Sequence, residues 1–280
     1  MKHVLSLGAG VQSTVLLLLS IEKVIPKFDH VVFSDTGFEP EAVYAHLKIL
    51  EKMCEDSGMI FGKVSNGNIK TQTLEYVEGK RKRAASLPLF VLNPDGAKGM
   101  TMRACTKEYK IEPVLKYQRQ VILGLKPRQR APKEIVMLNY MGITKDEIAR
   151  VKDSRHKFVQ NAYPFVSIGC NVLEKTWSRQ DCIRWLRENY PHLKTPRSAC
   201  VMCPYHNNDE WRRIRENKDD WDAAVDFDRR IRIYPRLDGE CFLHSQRVPL
   251  DQVDLRTDEE RGQGSLFGNW SEECDGMCGI

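Results

Sequence analysis

The chain has 280 residues, of which 41% are hydrophobic and 29% charged, a composition ordinary for a globular protein of one or two domains. The formal net charge is only +5, and no apolar run is long enough to cross a bilayer, which argues against a membrane protein. Because the first residues enter a predicted strand and not a signal peptide, the nine cysteines indicate metal or redox chemistry in a cytoplasmic protein, not a disulfide framework.

The first third of the chain alternates between strand and helix patterns. Short apolar runs that end in polar turns predict buried strands, and apolar residues three or four positions apart predict helices. This alternation predicts an α/β fold built on a parallel sheet, with right-handed crossovers and helices on both faces. The expected strands are 2–7, 31–37 and 60–64, and the expected helices are 13–19 and 41–58.

The remainder of the chain is less regular. Residues 65–104 are rich in glycine, proline, asparagine and basic residues, and we expect them to form an insert with a helix at 74–82. Ser178 followed by Asp181 is a helix-start signal. Beyond the insert, the expected helices are 111–124, 178–189 and 211–231, and the expected strand is 135–140. The predicted division is an α/β domain (1–165), a helical, cysteine-bearing part (166–255) and a flexible tail (256–280).

The loop between the first strand and the first helix predicts an anion site. Its small residues, Gly8, Ala9 and Gly10, let a ligand approach the backbone closely. The helix that follows presents N–H groups at its N-terminus, and Ser13 and Thr14 add hydroxyl donors. The loop has neither the Gly-Lys-Ser/Thr ending of a Walker A motif nor the third glycine of a dinucleotide motif. The expected ligand is therefore a nucleotide phosphate or a sulfate.

The second predicted strand ends in Asp35-Thr36-Gly37. Parallel sheets bind ligands at the carboxyl ends of their strands, so this turn is expected beside the anion loop. The Asp35 carboxylate is suited to a ribose hydroxyl or a metal-bound water. The alternative is that Asp35 caps the next helix, which aspartate also does well.

A Cys-x-x-Cys-Pro segment forms the second strong signal. Cys200 and Cys203 are spaced so that two thiolates from one tight turn can face a single metal. Cys105 and Cys182 are the preferred partners, and four thiolates suit either a [4Fe–4S] cluster or zinc. A three-cysteine cluster with one open iron, and a core role for Cys182, are the alternatives.

Several segments, in order along the chain, resemble the phosphoadenosine phosphosulfate (PAPS) reductase-like family of the PP-loop, or adenine nucleotide alpha-hydrolase-like, superfamily. The loop 8–13 is similar to its PP-loop, with Gln12 where the family usually has an acid. The other matching segments are Asp35-Thr36-Gly37, Arg103-Ala104-Cys105-Thr106 (with one cysteine in place of two), Gly142-Ile143 through Glu147 to Arg150, and Tyr163-Pro164-Phe165.

The resemblance implies a Rossmann-like sheet of the PP-loop (HUP) type that binds ATP or PAPS, with Mg²⁺ as an accessory ion. It also favours an iron–sulfur cluster over zinc at Cys105, Cys182, Cys200 and Cys203. The implied nucleotide-binding residues are Ser6, Gly8, Ala9, Gly10, Gln12, Ser13, Thr14, Asp35, Thr36, Gly37, Gly142 and Arg150, and Asp35 is also a candidate catalytic residue. For Arg150 the alternative is a surface salt bridge.

The C-terminal Cys278-Gly279-Ile280 resembles the tail of assimilatory reductases, although no histidine follows. In that family the tail cysteine attacks the sulfur of a bound sulfonucleotide, which implies a catalytic role for Cys278, with Cys274 as the resolving thiol. A metal clip or an inert tail are the alternatives.

Three basic clusters are candidates for contact with a DNA or RNA backbone, the alternative being solvated surface charge. They are 80–83, 126–133 and 229–236.

The combined expectation is a nucleotide-dependent sulfur-handling enzyme, acting in nucleic-acid sulfur modification and served by a sulfur- or electron-donor protein. One rival is thiol-dependent reduction of PAPS or its APS analogue to sulfite. The other rival is a non-catalytic nucleotide- or nucleic-acid-binding module with structural zinc.

Overall fold

A computed structural model describes residues 1–256 and residue 260. The strands of this part, in chain order, are β1 (Lys2–Leu7), β2 (His30–Asp35), β3 (Ile60–Ser65), β4 (Phe90–Leu92), β5 (Lys98–Met100), β6 (Met137–Tyr140), β7 (Val159–Ala162) and β8 (Glu240–Phe242). The α-helices are α1 (Val11–Ile21), α2 (Glu41–Asp56), α3 (Ile69–Val77), α4 (Glu112–Tyr117), α5 (Arg179–Asn189), α6 (Asn208–Glu216) and α7 (Lys218–Arg230).

The central sheet has five parallel strands in the order β3-β2-β1-β6-β7. The chain builds outward from β1 to β3 and then returns to the other side of β1 with β6. This reversal leaves a crevice at the carboxyl ends of β1 and β6, the point where such sheets bind ligands. The predicted α/β class and parallel sheet are confirmed, whereas β7 was not predicted because its residues lack a strongly apolar run.

Burial explains why the first elements form where they do. Val4, Leu5, Val31 and Val32 are fully buried in β1 and β2, as expected for strands covered on both faces. Helix α1 is apolar around most of its circumference, with buried leucines at 16–19, so it is a core helix and not a surface one. Helix α5 packs on α1, and its predicted start is confirmed by a capping box between Ser178 and Asp181.

A second hydrophobic core lies around a small antiparallel sheet with the order β5-β4-β8. Its hairpin β4–β5 comes from the predicted insert at 65–104, while β8, α6 and α7 come from the far end of the described chain. The insert therefore packs with later residues, and α5 packs with the first core although it follows residue 165.

Three helix predictions need correction. The helix expected at 74–82 is α3, which begins earlier because the Asn68 side chain caps it by accepting from Thr71 N. The single helix expected at 211–231 is broken at Asn217, whose extended backbone ends α6 and whose side chain caps α7. The helix expected at 111–124 also begins earlier, since π-helical turns at 107–111 and 118–122 flank α4.

Among the described residues, no helix is both long and apolar enough to cross a membrane.

Candidate functional site

The predicted anion loop lies at the carboxyl end of β1, at the centre of the parallel sheet. Ala9 has a φ of 61°, an uncommon conformation for a residue with a side chain, and Gly10 is the N-cap of α1. The Ser13 hydroxyl closes the loop, because it accepts from Gly8 N at 3.2 Å and donates to Gly10 O at 3.3 Å. No acidic residue lies in the first turn of α1, and no described side chain caps it, so the partial positive charge of this helix end faces the loop.

Gly142 contacts the anion loop directly. A Cβ atom at position 142 would lie 2.9 Å from the Gln12 carbonyl carbon and 2.9 Å from Ser13 N, closer than such atoms can approach. Only glycine therefore lets the segment after β6 pack against the start of α1. The structure thus brings Gly142 to the loop, as the sequence predicted, and brings the following residues with it.

Glu147 supplies a carboxylate near the position where the loop itself has none. Gln12 Nε2 donates to Glu147 Oε2 at 3.3 Å, and Arg150 forms an ion pair with the same carboxyl group. Burial raises the pKa of Glu147, and the charge of Arg150 only partly opposes this effect. The sequence offers Glu147 as one of the acids that could pair with Arg150 in the salt-bridge alternative, and the structure forms that pair. Only the fold shows that Glu147 also contacts residue 12.

Asp35 is a well-bonded carboxylate at the end of β2. It accepts from Gly37 N at 2.7 Å and from the Tyr44 hydroxyl at 2.9 Å, and Lys63 Nζ lies 2.8 Å from its other oxygen. Burial by itself raises the pKa of Asp35, but the bonds from Lys63, Gly37 and Tyr44 outweigh it, so the pKa is lowered overall. The N-cap of α2 is Pro40, so Asp35 stabilises its own turn and does not cap that helix.

A segment from the C-terminal half joins the two strand-end motifs. The Ser198 hydroxyl donates to Gly8 O in the anion loop, and Ser198 Cβ would lie 3.3 Å from a Cβ on Gly10. Two residues later, Cys200 Sγ lies 3.2 Å from Thr36 Oγ1. Ser198 was not assigned a role from the sequence, and its position next to the Cys-x-x-Cys segment was the only available signal.

Three of the predicted metal-binding cysteines, Cys105, Cys200 and Cys203, line one pocket. Thr36 and Lys110 line the same pocket, which adjoins the turn after β2. A buried carboxylate lies beneath it. Glu39 accepts from Thr36 Oγ1 at 2.8 Å, and its Oε1 atom lies 3.7 Å from Cys200 Sγ and 3.9 Å from Lys110 Nζ. The pocket therefore combines thiols with a buried acid and a lysine.

Cys182 does not line this pocket. It is fully buried in the first core, between α5 and the elements that cover the parallel sheet, and burial raises the pKa of its thiol. The predicted set of four cysteines is therefore not assembled, and the alternative of a core cysteine describes Cys182. In the described ranges, no group of three or more His, Cys, Asp or Glu side chains is arranged to hold a metal ion.

His206 lies beneath the Cys-x-x-Cys turn. Its Nε2 atom is 2.9 Å from the Cys200 carbonyl oxygen, and its ring contacts Trp211 edge to face. Burial first, and then the charge of Arg197, lower the pKa of His206 to about 3. The ring is therefore neutral at physiological pH, and it supports the turn by donating to a carbonyl group.

The tail thiols Cys274 and Cys278 lie outside the described residues, so their predicted catalytic roles stay predictions. Neither a scan against protein-family models nor a search of curated proteins finds a match for this chain.

Proposed function

We propose that this chain is an enzyme that binds an adenine nucleotide at the 8–14 loop and uses it in sulfur chemistry. The observation that carries the proposal is the segment Ser198–Cys203. One end of this segment bonds to the anion loop and the other end carries thiols against the Asp35-Thr36-Gly37 turn. An anion site and a thiol pocket that share one short segment suit a reaction between a phosphorylated or sulfated nucleotide and a sulfur atom.

The residues of the loop would bind the anion. Backbone N–H groups at the start of α1, with the hydroxyl of Ser13, would hold phosphate or sulfate oxygens. The sequence prediction for Thr14 needs correction, because its side chain is fully buried and its hydroxyl lies 3.1 Å from His46 Nε2 in the core.

Arg150 would neutralise charge on the nucleotide, and Glu147 keeps that guanidinium in place beside Gln12. Carboxylate oxygens are the ligands that Mg²⁺ prefers, and Glu147, which lies beside Gln12 at the loop, is the carboxylate that would hold that ion. Both oxygens of Asp35 are already bonded within its own turn.

The pocket can supply fewer thiolate ligands to a cofactor than the four that the sequence predicted. Because Cys182 is absent from the pocket, the residues do not fit a cluster with four thiolate ligands. Cys105, Cys200 and Cys203 would supply three thiolates, which suits an iron–sulfur cluster with one open iron or a zinc ion. Either would require the three side chains to converge from their present positions. Iron and zinc analysis of protein purified without oxygen distinguishes these options.

Of the reactions open to such a site, we favour ATP-dependent activation of a nucleic-acid position followed by sulfur insertion. The test is calorimetric titration of the full chain with ATP, AMP and PAPS, followed by product analysis. We expect ATP to bind and to be converted to AMP and pyrophosphate when a nucleic-acid substrate and a sulfur donor are present. Release of sulfite from PAPS would favour the reductase instead, and binding without turnover would favour the non-catalytic module.

Arg150→Gln tests the assignment of the site. This variant should weaken ATP binding by at least about tenfold, which corresponds to the loss of one charge-assisted contact of about 1.4 kcal/mol. Arg229→Gln is the matched control, because Arg229 is also an arginine paired to an acid, Asp251, but lies on α7. Equal affinity for ATP in both variants would contradict the proposed site.

A further inference from the structure

Two of the three basic clusters are largely neutralised within the protein, although Glu78 is shared between Lys80 and Arg230, and Lys82 and Arg236 form no ion pair among the described residues. In the cluster 80–83, Lys80, Arg81 and Arg83 form ion pairs with glutamates. In the cluster 229–236, Arg229, Arg230 and Arg232 form ion pairs with acids, and Arg232 also stacks on a phenylalanine ring. The acidic partners are Glu78, Glu75, Glu108, Asp251 and Asp228. These two clusters are therefore poor candidates for binding an external polyanion.

The third cluster is different. We group it with two cations of the α4 segment, since Lys126 and Arg128 line one groove with Lys116 and Arg119, and call the group the 116–133 surface. Its members are Lys116, Arg119, Lys126, Arg128, Arg130 and Lys133. Within residues 1–256 and at 260, none of these side chains forms an ion pair with an acid; the nearest glutamate on the helix, Glu112, pairs with Lys107. Their charge is therefore available to a ligand.

The geometry of this surface is concave. A groove of about 190 Å³ is lined by four cations, Lys116, Arg119, Lys126 and Arg128, and by one acid, Glu112. Arg119 is held in place because its guanidinium donates to the Gln129 carbonyl oxygen at 2.5 Å, while Gln129 Oε1 accepts from Lys126 N at 2.9 Å. The loop after the α4 segment is thereby fixed against the helix, and cations from both line the groove.

Further cations continue the surface on one side. The Arg119 guanidinium lies 5.9 Å from the centre of the Phe158 ring, which adjoins the exposed residues Arg155 and Lys157. Burial lowers the pKa of His156, and the nearby charges of Arg119 and Arg155 lower it further. Arg119 and Arg155 therefore both lie near His156, between the groove and the segment before β7.

The 116–133 surface lies at the amino ends of the strands, whereas the anion loop lies at their carboxyl ends. It precedes β6 and β7 in the chain and adjoins the amino ends of these strands, whereas Gly8 follows the carboxyl end of β1. The strands are four to six residues long, so their two ends lie roughly 13–20 Å apart. The 116–133 surface is therefore not part of the nucleotide site.

We propose that the 116–133 surface binds the phosphate backbone of a nucleic acid. Guanidinium groups bind phosphate oxygens in pairs, and a row of unpaired cations follows a polyanion without reading its sequence. The unpaired charge continues from the groove toward residues 155–157, as a backbone with regularly spaced phosphates requires. This proposal rests on the nucleic-acid modification proposed above and assigns the surface that would hold its substrate. Binding is measured without ATP, so a loss of binding in the surface variant and a failure of the nucleotide chemistry are distinguished.

The test uses the full chain and fluorescein-labelled RNA and DNA, single-stranded and duplex, without added nucleotide. The test variant is the double substitution Lys126→Gln and Arg130→Gln, and the control is Lys80→Gln with Arg229→Gln, which removes the same charge from the neutralised clusters. We expect the test variant to bind at least about tenfold more weakly, and its slope of log affinity against log salt to fall by about 1–2. The control should bind within about twofold of the parent chain.

Any one of three results would overturn the proposal. The first is that the parent chain binds none of the nucleic acids, and the second is that the two double variants lose affinity equally. The third is that polyglutamate competes as well as an unlabelled nucleic acid of equal charge. The last result would mean that the surface recognises acidic proteins. Thermal melting of both variants checks that they are folded, and a preference among the four probes separates RNA from DNA.

Discussion

At the scale of single residues, the contacts of Gln12 show what its identity alone does not. The sequence shows a glutamine where the resembled family carries an acid. In the structure Gln12 donates to Glu147, so an amide joins the loop to a carboxylate supplied by a later segment. Glu147 belongs to a segment that itself matches the resembled family, so this contact does not restore the missing acid but links two matching segments. A comparison of local motifs cannot find the contact, because the two residues are far apart in sequence.

Gly142→Ala tests how closely the two segments must pack. The added methyl group meets the backbone of Gln12 and Ser13, which cannot move aside as a flexible side chain would. We expect a loss of about 1–3 kcal/mol in the free energy of unfolding, measured with urea, together with weaker ATP binding in calorimetry.

Gly99→Ala is the control for this variant, since a Cβ at position 99 would meet only the Val91 side chain, at an ordinary 3.8 Å. If Gly142→Ala proved as stable as Gly99→Ala and bound ATP equally well, the close approach would not matter for function.

His206 should make the protein sensitive to acid. Its pKa is about 3 in the folded protein, against the ordinary value of 6.5, so the unfolded chain binds a proton that the folded protein does not. Stability from the neutral ring is complete above pH 6.5 and is lost as the pH falls toward 3. The expected slope is up to about 1.4 kcal/mol per pH unit from this group.

Urea unfolding at pH values between 6.5 and 5 measures this slope. His206→Gln keeps an N–H donor for the Cys200 carbonyl group but cannot be protonated. The slope of its unfolding free energy against pH should therefore be smaller than that of the parent chain, by up to about 1.4 kcal/mol per pH unit. His46, whose pKa burial lowers to about 4, contributes equally to both proteins and cancels in the difference. Identical slopes would show that His206 is not held neutral.

At the scale of elements, local signals predicted helices well where a cap was present. Ser178 and Asp181 are three residues apart, and their reciprocal bonds form within one turn of α5. The break between α6 and α7 was missed, because the periodic pattern continues through Asn217 while that side chain caps the second helix. In the sequence, an asparagine inside a charged, periodic segment resembles an exposed position of one continuous helix, and only its backbone conformation shows the break.

Ser178→Ala should destabilise the protein by about 1 kcal/mol, because the N–H group of Asp181 loses its acceptor at the half-buried start of a helix that packs on α1. Chemical denaturation measures the change. Ser57→Ala, at the C-cap of α2, is the control, since capping there uses only the backbone N–H and we expect almost no effect. A comparable loss in both variants would rule out the cap as the cause.

At the scale of the whole molecule, the predicted anion loop and the thiol pocket belong to different cores but are joined by the segment Ser198–Cys203. The two sites should therefore influence one another. A ligand in the loop would restrict Ser198 and, through it, the Cys-x-x-Cys turn. This coupling is a property of the assembled fold and has no counterpart in either core alone.

Thiol alkylation tests the coupling. During a brief reaction with iodoacetamide, followed by mass spectrometry, we expect label at the half-buried Cys105 and Cys203 but not at Cys54 or Cys241. Burial shields these last two thiols and raises their pKa, to about 12 for Cys54 and to about 11 for Cys241. ATP should reduce the labelling of Cys203 at least about threefold, which corresponds to an increase of roughly 0.7 kcal/mol in the free energy needed to expose this thiol.

The Gly142→Ala variant provides the control for this measurement, because we expect it to bind ATP weakly and its Cys203 should stay unprotected. If ATP left the labelling of Cys203 unchanged in the parent chain under conditions where calorimetry shows binding, the loop and the pocket would be independent sites.

The sequence by itself determined the features that depend on neighbouring residues. Apolar runs separated by helical segments predicted the parallel sheet, and the small residues before α1 predicted its loop, because backbone conformation and burial follow from short stretches of chain. The tertiary structure alone decided which distant residues meet. It placed Cys182 in the first core, paired β4 with β8, brought Glu147 to Gln12, and largely neutralised two basic clusters while leaving the third exposed. These outcomes depend on contacts between segments far apart in the chain, and local patterns carry no information about such contacts.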